Sequence, residues 1–142
     1  MNAMTGHTPL ATLAEQNAEV VRRAYRAFNE GDIKTLHELF DEKSAWHTPG
    51  RSPIAGDHRG RDAVFAQFGR YGGETAGTFR AELRQVLAGD DGSVVGMHHN
   101  SGQRNGKRLD VDCCIVFQLK GGRVVSGQEH FYDLHAWDAF WA

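Results

Sequence analysis

Two polar side chains on a predicted β-hairpin lie on a face that is otherwise apolar. The dipeptide Asn105-Gly106 is a strong signal for a two-residue turn. Counting back from this turn places His98 opposite Cys113 and Asn100 opposite Val111, and opposed residues share a face. The pattern therefore predicts that His98 and Asn100 point into the domain. A buried histidine can accept and donate protons near neutral pH, and a buried amide can donate to a carbonyl oxygen.

A carboxylate on the following strand is a second candidate, and the sequence leaves its orientation open. A two-residue loop at Gly121-Gly122 would turn His130 inward. A three-residue loop that includes Lys120 would instead turn Glu129 and Phe131 inward. An inward carboxylate next to the predicted histidine would favour the imidazolium and fix its tautomer. Both alternatives remain open at this stage.

These side chains suggest acid–base catalysis in a pocket. His98 is the predicted general acid or base, Glu129 its orienting or charge-balancing partner, and Asn100 the donor to a substrate carbonyl. The side chains expected to bind the substrate are Trp46, Thr48, Cys113, Ile115 and Phe131. Tyr25 is interpreted as a helix-packing residue. The alternatives are a pocket that binds a ligand without chemistry, or a buried polar cluster with only a structural role.

Helices come first in the chain and strands afterwards. Thr12-Leu13-Ala14-Glu15 is a capping box, and Gly31 ends the helix that follows it. Asp32 can cap a short second helix, and residues 62–71 carry the apolar spacing of a third. From Thr78 onward the residues alternate as in strands. This order is typical of an α+β fold in which helices cover one face of an antiparallel sheet.

Composition limits the function classes. The chain has 142 residues and a net charge of −2, and neither a basic excess for nucleic acid nor an apolar run for a membrane is present. We expect a flexible tail over residues 1–11 and one domain over residues 12–142. Cys113 and Cys114 are adjacent, so we interpret them as free thiols in the cytoplasm. No metal-ligand spacing or cofactor motif is present, so neither a metal nor a cofactor is expected.

Several motifs resemble the SnoaL-like proteins of the nuclear-transport-factor-2-like superfamily. The matching segments cover residues 25–32, 39–40, 46–53, 60–62, 122–125 and 138–141. The resemblance implies a cone: a strongly bent antiparallel sheet with three N-terminal helices that enclose a pocket. Members include polyketide cyclases, ketosteroid isomerases, limonene-epoxide hydrolases and non-catalytic modules, so the fold alone does not identify a reaction. Relatives commonly pair through the outer sheet face, which implies a homodimer.

The residues that are catalytic in two groups of relatives differ here. The position of the ketosteroid isomerase base is Thr48, its oxyanion-hole tyrosine falls at Ala24, and its protonated aspartate falls at Ile115. That steroid mechanism is therefore not expected. In the comparison with epoxide hydrolases, the arginine and two aspartates fall at His98, Asn100 and Glu129, and the tyrosine and asparagine at Trp46 and Thr48. This alignment implies that Glu129 points inward.

Overall fold

A computed structural model describes residues 11–142 of the chain. The expected flexible tail, residues 1–11, lies almost entirely outside the described residues. The helices are α1 (Leu13–Glu30), α2 (Ile33–Leu39), α3 (Arg61–Gly73) and α4 (Leu134–Trp141). The strands are β1 (Phe40–Thr48), β2 (Gly56–Arg59), β3 (Arg80–Ala88), β4 (Ser93–Arg104), β5 (Lys107–Lys120) and β6 (Arg123–Phe131).

The predicted ends of the first two helices are confirmed. Thr12 and Glu15 form the reciprocal capping box of α1, and Gly31 ends the helix at φ 69°, a left-handed conformation that glycine adopts without strain. The side chain of Asp32 then accepts a hydrogen bond from the Thr35 amide and caps α2. Because the two caps are adjacent, α2 follows α1 directly and leads the chain into β1.

The α+β class is confirmed, but the sheet is mixed rather than purely antiparallel. Its strand order is β2-β1-β6-β5-β4-β3, and the sheet curls without closing. The hairpins β3–β4, β4–β5 and β5–β6 are antiparallel, whereas β1 lies parallel to β6. No hairpin joins β1 to β6, so no tight turn forces their directions to be opposed.

The registers determine which polar side chains face inward. His98 pairs with Cys113 and Asn100 with Val111, as the turn at Asn105-Gly106 predicts. Lys120 pairs with Arg123, so the last hairpin has the two-residue loop at Gly121-Gly122. That loop alone would turn His130 inward.

A β-bulge reverses this expectation. Leu119 pairs with Val124 and Gln118 with Ser126, so one extra residue, Val125, enters β6. Since side chains alternate between the two faces, one inserted residue moves every later side chain to the opposite face. Glu129 is therefore buried opposite Ile115.

Two further elements complete the fold. The segment between β1 and α3 contains β2, a four-residue edge strand that pairs with β1. The C-terminal tail forms α4, and its Trp137, Phe140 and Trp141 are buried against the body of the domain. The Asp138 carboxylate accepts hydrogen bonds from the backbone amides of residues 51 and 52 and so fixes the loop after β1.

Helices α1, α2 and α3 pack on the concave face of the sheet, and α4 packs on β5 and β6. The core between them is rich in aromatic rings. Within residues 11–142, no helix is long and apolar enough to cross a bilayer. The same residues contain no cluster of three or more histidine, cysteine, aspartate or glutamate side chains that could bind a metal ion.

Candidate functional site

A cavity lies between the concave face of the sheet and helices α1, α2 and α3. The centre of a water-sized sphere can occupy about 50 Å³ of this cavity, so the cavity has room for a few water molecules. Its polar or ionisable lining residues are Tyr25, Trp46, Tyr71, His98, Asn100 and Glu129. Its apolar lining residues are Ala24, Phe28, Leu36, Phe40, Phe68, Phe79, Ala81, Ile115 and Phe117. The cavity is thus an apolar, mainly aromatic chamber with a few polar groups on its wall.

In the described part of the chain, Glu129 is the one carboxylate on this wall, and it is only 3% exposed. Three donors converge on its Oε1 atom: the hydroxyl groups of Thr48 and Tyr71, both at 2.6 Å, and the indole Nε1 of Trp46 at 3.0 Å. Among residues 11–142, no donor reaches Oε2. One carboxylate oxygen is therefore fixed by the protein, and the other is free to meet a bound molecule.

Gln67 determines the direction of these hydrogen bonds. Its Nε2 donates to the backbone carbonyl of Ile54 at 2.8 Å, which can only accept. The same nitrogen lies 3.1 Å from the Thr48 hydroxyl and 3.2 Å from the Tyr71 hydroxyl. An amide nitrogen carries two hydrogens, and one of them goes to Ile54, so the two hydroxyl oxygens share the other. Both hydroxyl groups can then donate their own hydrogens to Glu129. The network therefore suits an ionised carboxylate.

Burial has the opposite effect on Glu129. Desolvation raises the pKa of the Glu129 carboxyl above its ordinary value, and the hydrogen bonds from Thr48, Tyr71 and Trp46 oppose this rise. No arginine or lysine within residues 11–142 lines the cavity. The carboxylate is thus stabilised by neutral donors rather than by a countercharge, so its proton affinity is higher than that of a surface glutamate.

Within the described residues, no hydrogen bond joins His98 to Glu129, which corrects the predicted pair. Its Nε2 lies 2.9 Å from Asn100 Oδ1 and its Nδ1 lies 2.7 Å from the Tyr25 hydroxyl. A carbonyl oxygen only accepts, so Nε2 carries the hydrogen and Nδ1 accepts from Tyr25. Burial lowers the pKa of His98 to about 4. His98 is therefore a neutral imidazole with both nitrogens occupied, and its geometry suits positioning more than direct proton transfer.

The adjacent histidines 98 and 99 are expected to titrate on opposite sides of the ordinary pKa of 6.5. Burial lowers the pKa of His98 to about 4, whereas hydrogen bonds to Asp112 and Asp110 raise the pKa of His99. Nitrogen-15 NMR of the imidazole rings between pH 4 and 8 measures both. His98 should remain the neutral Nε2–H tautomer at pH 6, while His99 is protonated. Protonation of His98 at pH 6 would contradict the assigned hydrogen bonds.

Asn100 has an unused donor beside the cavity. Its side chain is 1% exposed, and its Nδ2 has no hydrogen-bond partner within the described part of the chain. Its Oδ1 is occupied by His98, so the amide cannot turn without breaking that bond. A buried donor without a partner costs free energy, which a ligand that accepts from it would recover.

Replacing Tyr71 by phenylalanine is expected to raise the pKa of Glu129 further. The substitution removes one 2.6 Å donor from the carboxylate. A hydrogen bond to a charged group contributes about 1.5–3 kcal/mol, which corresponds to a rise of about one to two pKa units. Carbon-13 NMR of the glutamate carboxyl groups measures the shift. Tyr132→Phe is the control, since Tyr132 is 92% exposed. An unchanged Glu129 titration in Tyr71→Phe would show that this hydroxyl does not stabilise the carboxylate.

The structure brings together some of the predicted substrate-binding residues and excludes others. Trp46 and Ile115 line the cavity, whereas Thr48, Cys113 and Phe131 do not. Thr48 lies behind Glu129 and bonds to it. Phe131 stacks on Trp137, with ring centroids 3.9 Å apart. The short side chain of Cys113 is flanked in the sheet by His98 and Phe131, which are both larger.

Sequence reasoning missed three site residues. Gln67 and Tyr71 lie on the buried face of α3 with Val64 and Phe68, and a glutamine at such a position was a usable signal. Tyr25 was interpreted as packing only, yet its hydroxyl bonds His98 on the cavity wall. The sequence feature that could have indicated this role is Gly96 on β4, because a Cβ at Gly96 would lie 2.6 Å from the Tyr25 hydroxyl oxygen. Glycine at this strand position makes room for the phenol.

Comparison with known proteins identifies relatives along most of the chain. A family model described as a SnoaL-like domain matches residues 21–127. An uncharacterized protein of Mycobacterium tuberculosis is 33% identical over 128 residues, which cover 90% of this chain and 98% of the relative. The similarity thus extends beyond isolated motifs.

Several solved structures are similar to this chain, and two of them illustrate the range of identity. Bal32a, from a soil-derived mobile gene cassette, is 70% identical, with a TM-score of 0.90 and coverage of 91% of this chain and 98% of Bal32a. A nuclear-transport-factor-2-like protein of Burkholderia xenovorans LB400 is 21% identical, with a TM-score of 0.78 and coverage of 93% and 100%. The second match concerns the fold alone.

Proposed function

The chain belongs to the SnoaL-like domain family, and we propose that it is an enzyme that moves a proton next to the carbonyl group of a small substrate. The chemistry requires only side chains of the cavity, without a cofactor. Removal of such a proton is the first step shared by isomerisation, aldol-type cyclisation and many dehydrations. The proposed activity is therefore a type of proton transfer rather than one overall reaction.

The observation that carries this proposal is the asymmetric environment of Glu129. Three donors fix Oε1 and orient the carboxyl group, while Oε2 has no donor among residues 11–142. Burial raises the pKa of this carboxyl, which makes the carboxylate a stronger base than an exposed glutamate. Glu129 is thus the proposed general base, a role that sequence reasoning gave to His98.

The substrate carbonyl requires a hydrogen-bond donor, and the hydrogen bond must become stronger as negative charge develops on the carbonyl oxygen. Asn100 Nδ2 is buried and has no partner in the described residues. The bonds from Tyr25 to His98 and from His98 to Asn100 hold this amide in place. We assign Asn100 as the carbonyl donor, and His98 and Tyr25 as positioning residues.

Hydrogen–deuterium exchange tests the proposal without knowledge of the natural substrate. The protein is incubated in D₂O with acetophenone or cyclohexanone, and proton NMR follows the loss of the α-proton signals. The proposal requires exchange faster than in buffer, with catalysis lost on addition of a tightly binding non-exchanging analogue. Binding of these ketones without exchange above the buffer rate would contradict it.

The second candidate function is a non-catalytic pocket that binds a small molecule. Its supporting observation is that both nitrogens of His98 are occupied by protein partners, which leaves this histidine without a lone pair or hydrogen for a ligand. Under this alternative, Glu129→Gln would alter ligand affinity, and no ketone would exchange its protons. The exchange experiment therefore separates the two candidates.

A further inference from the structure

We infer that the cavity selects a carbonyl compound that carries no negative charge and is no larger than a single ring. This inference rests on the proposed function in one respect: it assumes that the ligand occupies the same cavity. It goes further by fixing the charge, the size and one polar group of the ligand. Three independent features of the cavity carry it.

The first feature is the charge of the wall. Glu129 is a carboxylate on the wall, and no lysine or arginine among residues 11–142 lines the cavity. An anionic ligand would lose its water and meet this carboxylate without a cation to compensate. At a separation of about 6 Å and an effective dielectric constant of about 20, the repulsion weakens binding on the order of 100-fold. Free carboxylates and phosphates are therefore excluded.

The second feature is the size of the space. The cavity has room for roughly three to five water molecules, which together are about as large as one small ring. The walls cannot move apart independently, since the aromatic rings brace each other edge to face. Phe68 contacts Phe28, Phe40 and Trp46, with centroids 5.4, 5.7 and 4.9 Å apart. A fused polycycle would have to break these contacts.

The third feature is the free donor of Asn100. Among the cavity-lining residues of the described chain, Asn100 carries the one side-chain nitrogen that is buried without a partner. A carbonyl oxygen accepts from it and completes its hydrogen bonding, which a hydrocarbon of the same shape cannot do. A neutral hydrogen bond contributes about 0.5–1.5 kcal/mol, so a preference on the order of tenfold is expected.

Calorimetric titration with matched compounds tests all three features at equilibrium, with no turnover required. The probes are acetophenone, ethylbenzene, benzoate and the three-ring ketone 9-acetylphenanthrene. Acetophenone should bind about tenfold more tightly than ethylbenzene and about 100-fold more tightly than benzoate. The three-ring ketone should not bind. Equal affinity for benzoate or binding of the three-ring ketone would each overturn the inference.

Asn100→Leu tests the polar contact separately. Acetophenone should lose its tenfold preference over ethylbenzene in this variant, while ethylbenzene binds as in the wild type. The ethylbenzene titration shows that the cavity is intact, so a misfolded variant is recognised. Asn105→Gly, at a turn residue with φ 50°, is the control. Retention of the acetophenone preference in Asn100→Leu would overturn the assignment. If this selectivity is observed but no α-proton exchange occurs, the inference stands and the proposed enzyme activity fails.

Discussion

Glu129→Gln is expected to lower the rate of α-proton exchange from a bound ketone by about 10²- to 10⁴-fold, the range that a general base supplies. Glutamine has nearly the same shape, and its carbonyl oxygen can still accept from Thr48, Tyr71 and Trp46. It cannot accept a proton from carbon. The ketone should therefore still bind, and exchange measured by NMR at saturating ketone isolates the chemical step.

Glu82→Gln is the matched control, since Glu82 lies on the surface with a side chain that is 69% exposed. This variant should exchange ketone protons at the wild-type rate. If Glu129→Gln keeps more than a tenth of the wild-type exchange rate, another group is the base and the assignment is wrong.

The pH dependence of stability provides a readout that is independent of turnover. Burial raises the pKa of Glu129 in the folded protein above 4.5, its ordinary value. A carboxyl with a raised folded pKa stabilises the fold fully below its unfolded pKa, and this contribution is lost as the pH rises through the folded pKa. The Glu129→Gln variant has no titrating carboxyl at this position, so its stability does not change with pH for this reason. The wild type should therefore lose thermal stability relative to Glu129→Gln as the pH rises above 4.5. If the melting temperatures of the two proteins change in parallel with pH, burial does not perturb the pKa of this carboxyl.

The position of His98 and Asn100 could be predicted because it depends on local geometry. One tight turn, Asn105-Gly106, fixes the β4–β5 register over its full length, and the alternation of side chains does the rest. Both residues line the cavity. Their chemical roles could not be read in this way, since the partners of His98 come from Asn100 and from Tyr25 on a distant helix.

The orientation of Glu129 shows why a turn alone can mislead. The loop has two residues, which by itself predicts His130 inward, yet the extra residue Val125 reverses the faces. Residues 123–125, Arg-Val-Val, give no local signal for a bulge. The comparison with epoxide hydrolases implied that Glu129 points inward because it aligns Glu129 with one of their aspartates. The alternation pattern alone left both orientations open.

The network around Glu129 is a tertiary feature that sequence spacing does not encode. Thr48 comes from β1, Gln67 and Tyr71 from α3, and Glu129 from β6. Their distances depend on how α3 crosses the curled sheet. Sequence patterns predict the face on which each side chain lies, but the pairing of side chains across elements depends on packing. The expected His98–Glu129 pair failed at this step, although both residues line one cavity.

Gly127→Ala is expected to destabilise the protein by about 1–3 kcal/mol, the usual cost of overpacking a filled core. A Cβ at Gly127 would lie 2.9 Å from Cη2 of Trp46 and closer still to two other ring atoms. Gly127 pairs with Trp46 on one side and with Phe117 on the other, so its backbone cannot retreat. The indole must move instead. Chemical denaturation followed by circular dichroism measures the loss.

Gly69→Ala is the matched control because it adds the same methyl group where nothing lies within 4 Å, on the exposed side of α3. Alanine in a helix is favoured over glycine by about 0.5–1 kcal/mol, so this variant should be slightly more stable than the wild type. The two substitutions thus have opposite signs, although they are chemically identical.

The displaced indole also connects packing to the proposed chemistry. Trp46 Nε1 donates to Glu129 at 3.0 Å, and the Trp46 ring packs on Phe68 and Phe117. Gly127→Ala should therefore remove one donor from the carboxylate and slow ketone exchange, whereas Gly69→Ala should not. Wild-type stability and exchange in Gly127→Ala would mean that the indole has a second position compatible with the site. The absence of a side chain at residue 127 would then have no role in orienting the base.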